Sequence, residues 1–180
     1  NVFSGRILEI EGLENLSVED AYELTNASAE RSASAAAISL SEASVSRYLE
    51  ESIAQLRQMI ADGYGDARTL ESRIAAMEQW LENPKLLKRD KNAEYAAVVE
   101  VDLSQITEPI LACPNDPDDV RPLSDVANTK VDEVFVGSCM TGAEAFRSAG
   151  RLLAGSRDVP VRLWLPPATR MIAADIKNEG

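Results

Sequence analysis

The chain has 180 residues, of which 45% are hydrophobic and 27% charged, and its formal net charge at pH 7 is −12. This length and composition are typical of a globular protein with one good core or two small lobes. The acidic balance disfavours phosphate backbones and anionic lipids, and no apolar run approaches the roughly 18 residues of a membrane span. We therefore expect neither a membrane nor nucleic acid as a partner.

The cysteine and histidine counts limit the chemistry that this chain can perform by itself. It has two cysteines, Cys113 and Cys139, and no histidine. This excludes His-based triads, His metal sites and a four-thiolate zinc site. Two cysteines do not suggest a disulfide framework and no signal peptide is visible, so we expect a reducing, cytoplasmic setting. The chain begins with Asn1 instead of Met, which indicates a piece of a longer protein.

The first forty residues predict two strands with a short helix between them. Residues 5–11 have the β-branched and apolar content of a strand. Ser17, with an acidic residue three positions later, predicts the start of a helix over Val18–Thr25. The polar and small residues of 26–37 predict a simple turn into a strand over 36–40, although small residues also allow a ligand to approach closely.

The next segment predicts an αα-hairpin over 41–83. In 41–61 apolar residues recur three and four positions apart on one face. Asp66 predicts the cap of a second amphipathic helix, which ends at Glu82 because Pro84 prevents its continuation. The apolar stripes predict packing in a core in preference to a groove for a partner.

Shorter and more polar elements follow. Residues 85–92 predict a solvated bend, 96–103 a strand, and 106–112 a further extended piece. The Pro, Asn and Asp content of 113–119 predicts a loop, whose aspartates lack the glycine and distal glutamate of a calcium loop. Residues 121–130 predict a polar connector between two lobes.

A strand, a tight turn and a helix come next. Residues 134–136 predict a strand buried on both faces, Gly137 and Ser138 end it, and 143–153 predict a helix. Cys139 then lies in a turn at the carboxyl end of a strand, near a helix N-terminus whose partial positive charge favours a thiolate. A thiolate there would be a nucleophile or a metal ligand; the alternative is a small, buried and inert cysteine.

A second strand over 159–165 implies a right-handed parallel crossover. The segment after it therefore lies at the same sheet edge as Cys139, and it contains Arg170. A guanidinium is suited to a substrate carboxylate. An ordinary exposed arginine is the alternative.

Several of these stretches resemble the bacterial B type of the aconitase family. They are AYELTNASAERS (21–32), EPILACPNDPDDV (108–120), VDEVFVGSCMT (131–141), FRSAGRLL (146–153), and the RLW, PP and TRM groups within 162–171. The resemblance runs through nearly all of the chain in order. It covers only the central segment of a much longer family enzyme.

The resemblance implies an α/β fold with two small lobes of the aconitase type, the second of them incomplete. It implies one domain over 1–122, with the hairpin 41–83 inserted, and the start of the cluster-binding domain over 123–180. The implied enzyme is a hydro-lyase of the tricarboxylic acid cycle that interconverts citrate and isocitrate through cis-aconitate with a 4Fe-4S cluster. The wider family also hydrates 2-methylaconitate. The implied partners are a tricarboxylic acid substrate and the remaining domains of the parent enzyme.

The resemblance also assigns roles to residues. Cys139 becomes one of three cluster thiolates, with the other two in a segment beyond Gly180. Asn26 and Glu30 face the cluster as catalytic residues: a carboxylate accepts or holds a proton, and an amide positions water or substrate without adding charge. Cys113 receives no cluster role.

The chain departs from the family pattern in the run after Ser32, which has only Ser and Ala where the family usually includes Gly and Cys, and at two positions after Cys139. The family usually has Asn after the Cys-Met-Thr and His three positions beyond it, where this chain has Gly142 and Ala145. An inactive fragment, or a divergent protein without cluster or substrate, is therefore the alternative. A stand-alone cysteine enzyme would need a base near Cys139, and the chain has no histidine to supply it.

Overall fold

A computed structural model describes residues 2–156 and 158–179; Asn1, Arg157 and Gly180 lie outside the described part. The described chain combines helices with three two-stranded sheets, as expected of a mixed α/β protein. It divides into two compact units, Asn1–Val98 and Val99–Gly180. In the described ranges no helix is both long enough and apolar enough to cross a membrane.

The first unit contains two short strands and three α-helices. In chain order they are β1 (Ile7–Ile10), α1 (Val18–Ala27), a 3-10 turn (Ser28–Arg31), β2 (Ala35–Ile38), α2 (Glu42–Ala61) and α3 (Ala67–Glu82). β1 and β2 pair in parallel. Each helix begins after a side-chain cap: Ser17, Ser41 and Asp66 accept hydrogen bonds from backbone N–H groups three residues later, at 3.0, 3.1 and 3.3 Å. The predicted caps at Ser17 and Asp66 are confirmed.

The apolar core of the first unit lies between α2 and α3. It consists of Ile53, Leu56, Leu70 and Ile74, whose exposed fractions are 6%, 7%, 5% and 7%. The partly buried methionines of both helices pack beside them. Burying apolar surface between the two helices stabilises both, since each helix alone would be only marginally stable in water.

The strand predicted over 96–103 is wrong. Residues 96–102 are irregular, and Leu103–Gln105 form a 3-10 turn. Val98, Val99 and Val101 are 76%, 63% and 66% exposed. A strand needs a neighbouring chain that pairs with its backbone N–H and C=O groups, and none of the strands in the described part pairs with this segment.

The second unit has four strands and three helices among its described residues. They are β3 (Ile110–Ala112), β4 (Val120–Pro122), α4 (Leu123–Val126), β5 (Glu133–Phe135), α5 (Ala143–Leu153), β6 (Arg162–Trp164) and α6 (Arg170–Glu179). β3 and β4 pair antiparallel on either side of the predicted loop over 113–119. The connector predicted over 121–130 is wrong in part, because its first residues complete β4 and form α4.

β5 and β6 pair in parallel, with α5 between them in the chain, so the predicted parallel pairing is confirmed, whereas the right hand of the crossover stays a prediction. The expectation that this strand is buried on both faces is wrong, since Phe135 is 65% exposed while Val134 is half-buried. A strand is buried on both faces only where other layers cover both sides of its sheet. The domain limits predicted over 1–122 and 123–180 stay a prediction.

Candidate functional site

The turn after β5 presents Cys139 to solvent. The backbone N–H of Thr141 donates to the carbonyl oxygen of Ser138 at 3.4 Å, which closes a four-residue turn with Cys139 and Met140 at its centre. Cys139 is exposed, whereas Met140 is half-buried. The alternative of a buried, inert cysteine therefore does not describe Cys139.

Two hydroxyl groups cross this turn. Ser138 Oγ accepts a hydrogen bond from the N–H of Met140 at 3.1 Å, and it lies 2.9 Å from Thr141 Oγ1, within hydrogen-bonding distance. Sequence reasoning missed both residues. The signal was present in the pattern Ser-x-x-Thr before a helix, because such hydroxyls commonly bond to local backbone groups.

The base of the turn lies close to the segment that follows β6. A Cβ atom at Gly137 would lie 2.8 Å from the carbonyl oxygen of Pro166 and 3.0 Å from its Cγ. The N–H of Val136 donates to the carbonyl oxygen of Trp164 at 2.9 Å, so the sheet pairing continues up to this point. Gly137 is required here for close approach of the backbone, which only a residue without a Cβ allows.

Helix α5 begins directly after the turn. Its N-cap is Gly142, whose backbone is extended (φ −76°, ψ 169°) and which supplies no side-chain cap. Ala145 is half-buried in the first turn of the helix. The two positions after Cys139 that depart from the family pattern thus both lie at the start of the helix that follows it.

Ion pairs form between α5 and α6 and within α5. Arg147 Nε and Nη2 donate to the two carboxylate oxygens of Glu179 at 2.8 and 2.6 Å, linking α5 to α6. These hydrogen bonds raise the pKa of Arg147 and lower that of Glu179. Arg151 likewise lowers the pKa of Glu144, chiefly through its hydrogen bond. These charges are exposed, so each ion pair contributes little to the stability of the fold.

The segment that leads to Arg170 leaves the sheet at the same edge as the Cys139 turn. β5 and β6 are parallel, so both segments leave the sheet at their carboxyl ends, and Gly137 approaches Pro166 there. Arg170 is the first residue of α6 and is exposed. The helix start is fixed by Thr169, whose Oγ1 accepts a hydrogen bond from the N–H of Ile172 at 3.1 Å.

Asn26 and Glu30 lie in the first unit, on consecutive helical turns, and both are exposed. Asn26 is in the last turn of α1, and Glu30 is in the 3-10 turn that follows directly. The buried Ser28 between them donates from its Oγ to the carbonyl oxygen of Thr25 at 2.6 Å and holds the junction. Asn26 and Glu30 thus lie on either side of one helical junction in the first unit, and the segments that carry Cys139 and Arg170 follow the carboxyl ends of two paired strands in the second unit.

No group of three or more cysteine, aspartate or glutamate side chains that could hold a metal ion occurs among residues 2–156 and 158–179. The donor at the turn is a single exposed thiol. A soft thiolate is the ligand type that iron–sulfur clusters take. One thiol fits one ligand position of such a cluster.

Comparison with known proteins connects these features. The sequence model of the aconitase family (aconitate hydratase) matches residues 2–130. Over its whole length the chain is similar to aconitate hydratase B of Escherichia coli (59% identical over 181 residues) and of Pseudomonas aeruginosa (57% identical), and it spans 21% of the length of each.

A more distant relative is the large subunit of 3-isopropylmalate dehydratase from Picrophilus torridus, which is 40% identical over 98 residues, covering 53% of this chain and 23% of that subunit. The family model covers Asn26 and Glu30 but not Cys139 and Arg170. The matches to the aconitate hydratase B proteins cover all four residues. The chain belongs to the aconitase family.

Proposed function

We propose that this chain is a segment of an aconitate hydratase, a hydro-lyase that interconverts citrate and isocitrate through cis-aconitate. The observation that carries the proposal is the extent of the match. Proteins named aconitate hydratase B are 49–59% identical to the chain over all of its length, and the chain spans 21–22% of theirs. 2-Methylaconitate is a second candidate substrate, because the wider family also hydrates it.

The remaining domains of the parent enzyme are the proposed partners, and the cytoplasm is the proposed location. In this proposal residues 1–122 form one aconitase-type lobe with an inserted helical hairpin, and 123–180 begin the cluster-binding lobe. The exposed valines Val98, Val99 and Val101 are consistent with this, since exposed apolar side chains of this kind would be buried by further elements of a longer protein.

Cys139 is the proposed thiolate ligand of a 4Fe-4S cluster, one of three. Its exposure in a turn at a sheet edge, with a close-packed glycine beneath, supports this assignment. When bound, the cluster supplies a Lewis acid for the hydroxyl and carboxylate groups of the substrate.

The other chemistry in the proposal falls to side chains of this chain. Glu30 accepts or holds a proton at its carboxylate, and Asn26 orients water or substrate through its amide. Arg170 binds a substrate carboxylate with its planar guanidinium. Its exposed position at the start of α6 leaves the guanidinium accessible.

A catalytically inactive member of the family is the second candidate. Gly142 and Ala145, at the start of α5, favour it because they stand where the family usually has Asn and His. Loss of those two polar groups beside the cluster ligand would leave the fold intact and weaken the site.

The test is a chimera in which this chain replaces the aligned segment of the Escherichia coli aconitate hydratase B. We expect the chimera to hold iron and sulfide, to show the absorbance of a thiolate-bound cluster at about 400 nm, and to interconvert citrate and isocitrate. A folded chimera with the cluster but without turnover favours the inactive alternative, and a folded chimera without a cluster contradicts the proposal.

The two cysteines provide a matched pair of variants. Cys139→Ser should abolish the absorbance, whereas Cys113→Ser should retain it, because half-buried Cys113 has no cluster role in the proposal. Equal loss in both variants would contradict the assignment of Cys139.

A further inference from the structure

We propose that the hydroxyl groups of Ser138 and Thr141 form a clamp that holds the Cys139 thiol in its outward position, which makes both positioning residues for that thiol. The proposal deepens, and rests on, the proposed role of Cys139 as a ligand. The clamp consists of the two hydrogen bonds that cross the turn, from Met140 N–H to Ser138 Oγ and between the two hydroxyls.

The structure fixes both ends of the turn by other means. On the strand side, Val136 is bonded to Trp164, and Gly137 lies against Pro166. On the helix side, α5 is anchored by Phe146, which is 6% exposed. The freedom that remains lies in the four residues from Ser138 to Thr141, and this is the part that the hydroxyls restrain.

The hydroxyls hold the turn itself and do not cap the helix. A serine or threonine just before a helix commonly accepts hydrogen bonds from the first helical N–H groups. Here Gly142 is the N-cap, with no side-chain cap, and Ser138 Oγ bonds instead to the N–H of Met140 inside the turn. The two side chains are therefore committed to the segment that carries Cys139.

A clamp of this kind matters for a ligand because an ordered donor loses less conformational freedom on binding. Groups that orient a metal ligand without touching the metal typically change metal affinity by about 10- to 100-fold when removed. We therefore expect loss of the clamp to weaken cluster retention, although the thiol itself is still present.

The first experiment follows amide hydrogen exchange in the full 180-residue chain. Ser138→Ala removes the acceptor for the Met140 N–H and should speed its exchange about fivefold, the effect of one exposed hydrogen bond. Ser156→Ala, a substitution in an exposed serine outside the turn, should leave that exchange unchanged. Unchanged exchange in Ser138→Ala would overturn the clamp.

The second experiment separates the oxygen of Thr141 from its shape. Thr141→Val keeps the branched shape and removes the hydroxyl, whereas Thr141→Ser keeps the hydroxyl. In the chimera described above, Thr141→Val should lose its cluster absorbance to a chelator at least about tenfold faster, and Thr141→Ser should restore retention. This pair keeps the proposal testable even if Ser138→Ala does not fold.

The outcomes distinguish the two proposals. If the unsubstituted chimera holds a cluster and Thr141→Val retains it equally well, the positioning role is refuted and the proposed function stands. If the unsubstituted chimera folds without a cluster, the proposed function fails and the positioning role fails with it.

Discussion

Replacing Gly137 by alanine tests whether the close approach beneath the Cys139 turn requires a residue without a side chain. The added Cβ would lie 2.8 Å from the carbonyl oxygen of Pro166 and 3.0 Å from its Cγ, so one of the two backbone segments must move. Overpacking of this kind costs about 1–3 kcal/mol. Reduced freedom of the unfolded chain returns about 0.4–1 kcal/mol. Taken at the middle of both ranges, the net expectation is a loss of about 1.3 kcal/mol.

The assay is urea unfolding combined with amide exchange. A loss of this size lowers the urea midpoint by about 0.5–1 M at the usual dependence of stability on urea. The exchange of the Val136 N–H reports the local effect, because its bond to the carbonyl oxygen of Trp164 lies directly beside the collision. We expect that bond to weaken first.

The control is the same substitution at Gly150. This residue lies inside α5, where an added Cβ meets nothing within 4 Å. Gly150→Ala should therefore stabilise the protein, by about 0.5–1 kcal/mol, through higher helix propensity. The reasoning is refuted if Gly137→Ala is as stable as the unsubstituted chain or shifts in the same direction as Gly150→Ala.

Three further predictions concern a cap, an ion pair and the core. Gly142→Asn should add a side-chain cap to α5, since the backbone of Gly142 is already extended and an added Cβ meets nothing within 4 Å. Thermal unfolding should then show a gain in stability of about 0.3 kcal/mol. Glu179→Gln should lower the urea midpoint at about pH 7, and this effect should shrink as the pH falls below about 4.5 towards about 3. The reason is that Arg147 lowers the pKa of Glu179 below its ordinary 4.5, so the stabilisation is present above that value and is lost as the pH falls through the lowered pKa. Leu70→Ala should cost about 2–5 kcal/mol in urea unfolding because Leu70 is 5% exposed, whereas Leu87→Ala, at a fully exposed position, should cost little.

Each of these has an outcome that contradicts it. A melting temperature unchanged or lowered by Gly142→Asn would mean that the cap does not form. A difference between Glu179→Gln and the unsubstituted chain that persists equally at both pH values would show that the charge of Glu179 is not its cause. Equal costs for Leu70→Ala and Leu87→Ala would contradict the placement of the core between α2 and α3.

The elements that sequence reasoning predicted correctly depend on neighbours close in the chain. Apolar spacing predicts α2 and α3, and the Asp66 cap, whose partner is three residues away, predicts the start of α3. Breaker residues likewise mark the turn around Cys139. In each case the signal and the structure that it produces lie within one or two helical turns.

The wrong predictions concern features that depend on segments distant in the chain. The segment over 96–103 has the residue content of a strand, yet a strand forms only with a second strand beside it. The burial of β5 was overestimated for a related reason, since burial on two faces depends on layers that other parts of a chain must supply. Neither condition can be read from the local residues.

By itself, the sequence determined the α/β class, the helices and their caps, the family, and the residue types that limit the chemistry, because each depends on local spacing or on composition. Only the tertiary structure decided that Cys139 is exposed and that its turn lies against Pro166. Gly137 and Pro166 lie in segments joined through a whole crossover, and the distance between their backbones is set by the pairing of β5 with β6. In the sequence alone, a glycine indicates only a flexible backbone. The fold shows that Gly137 is needed because its backbone lies against Pro166, where a side chain would collide.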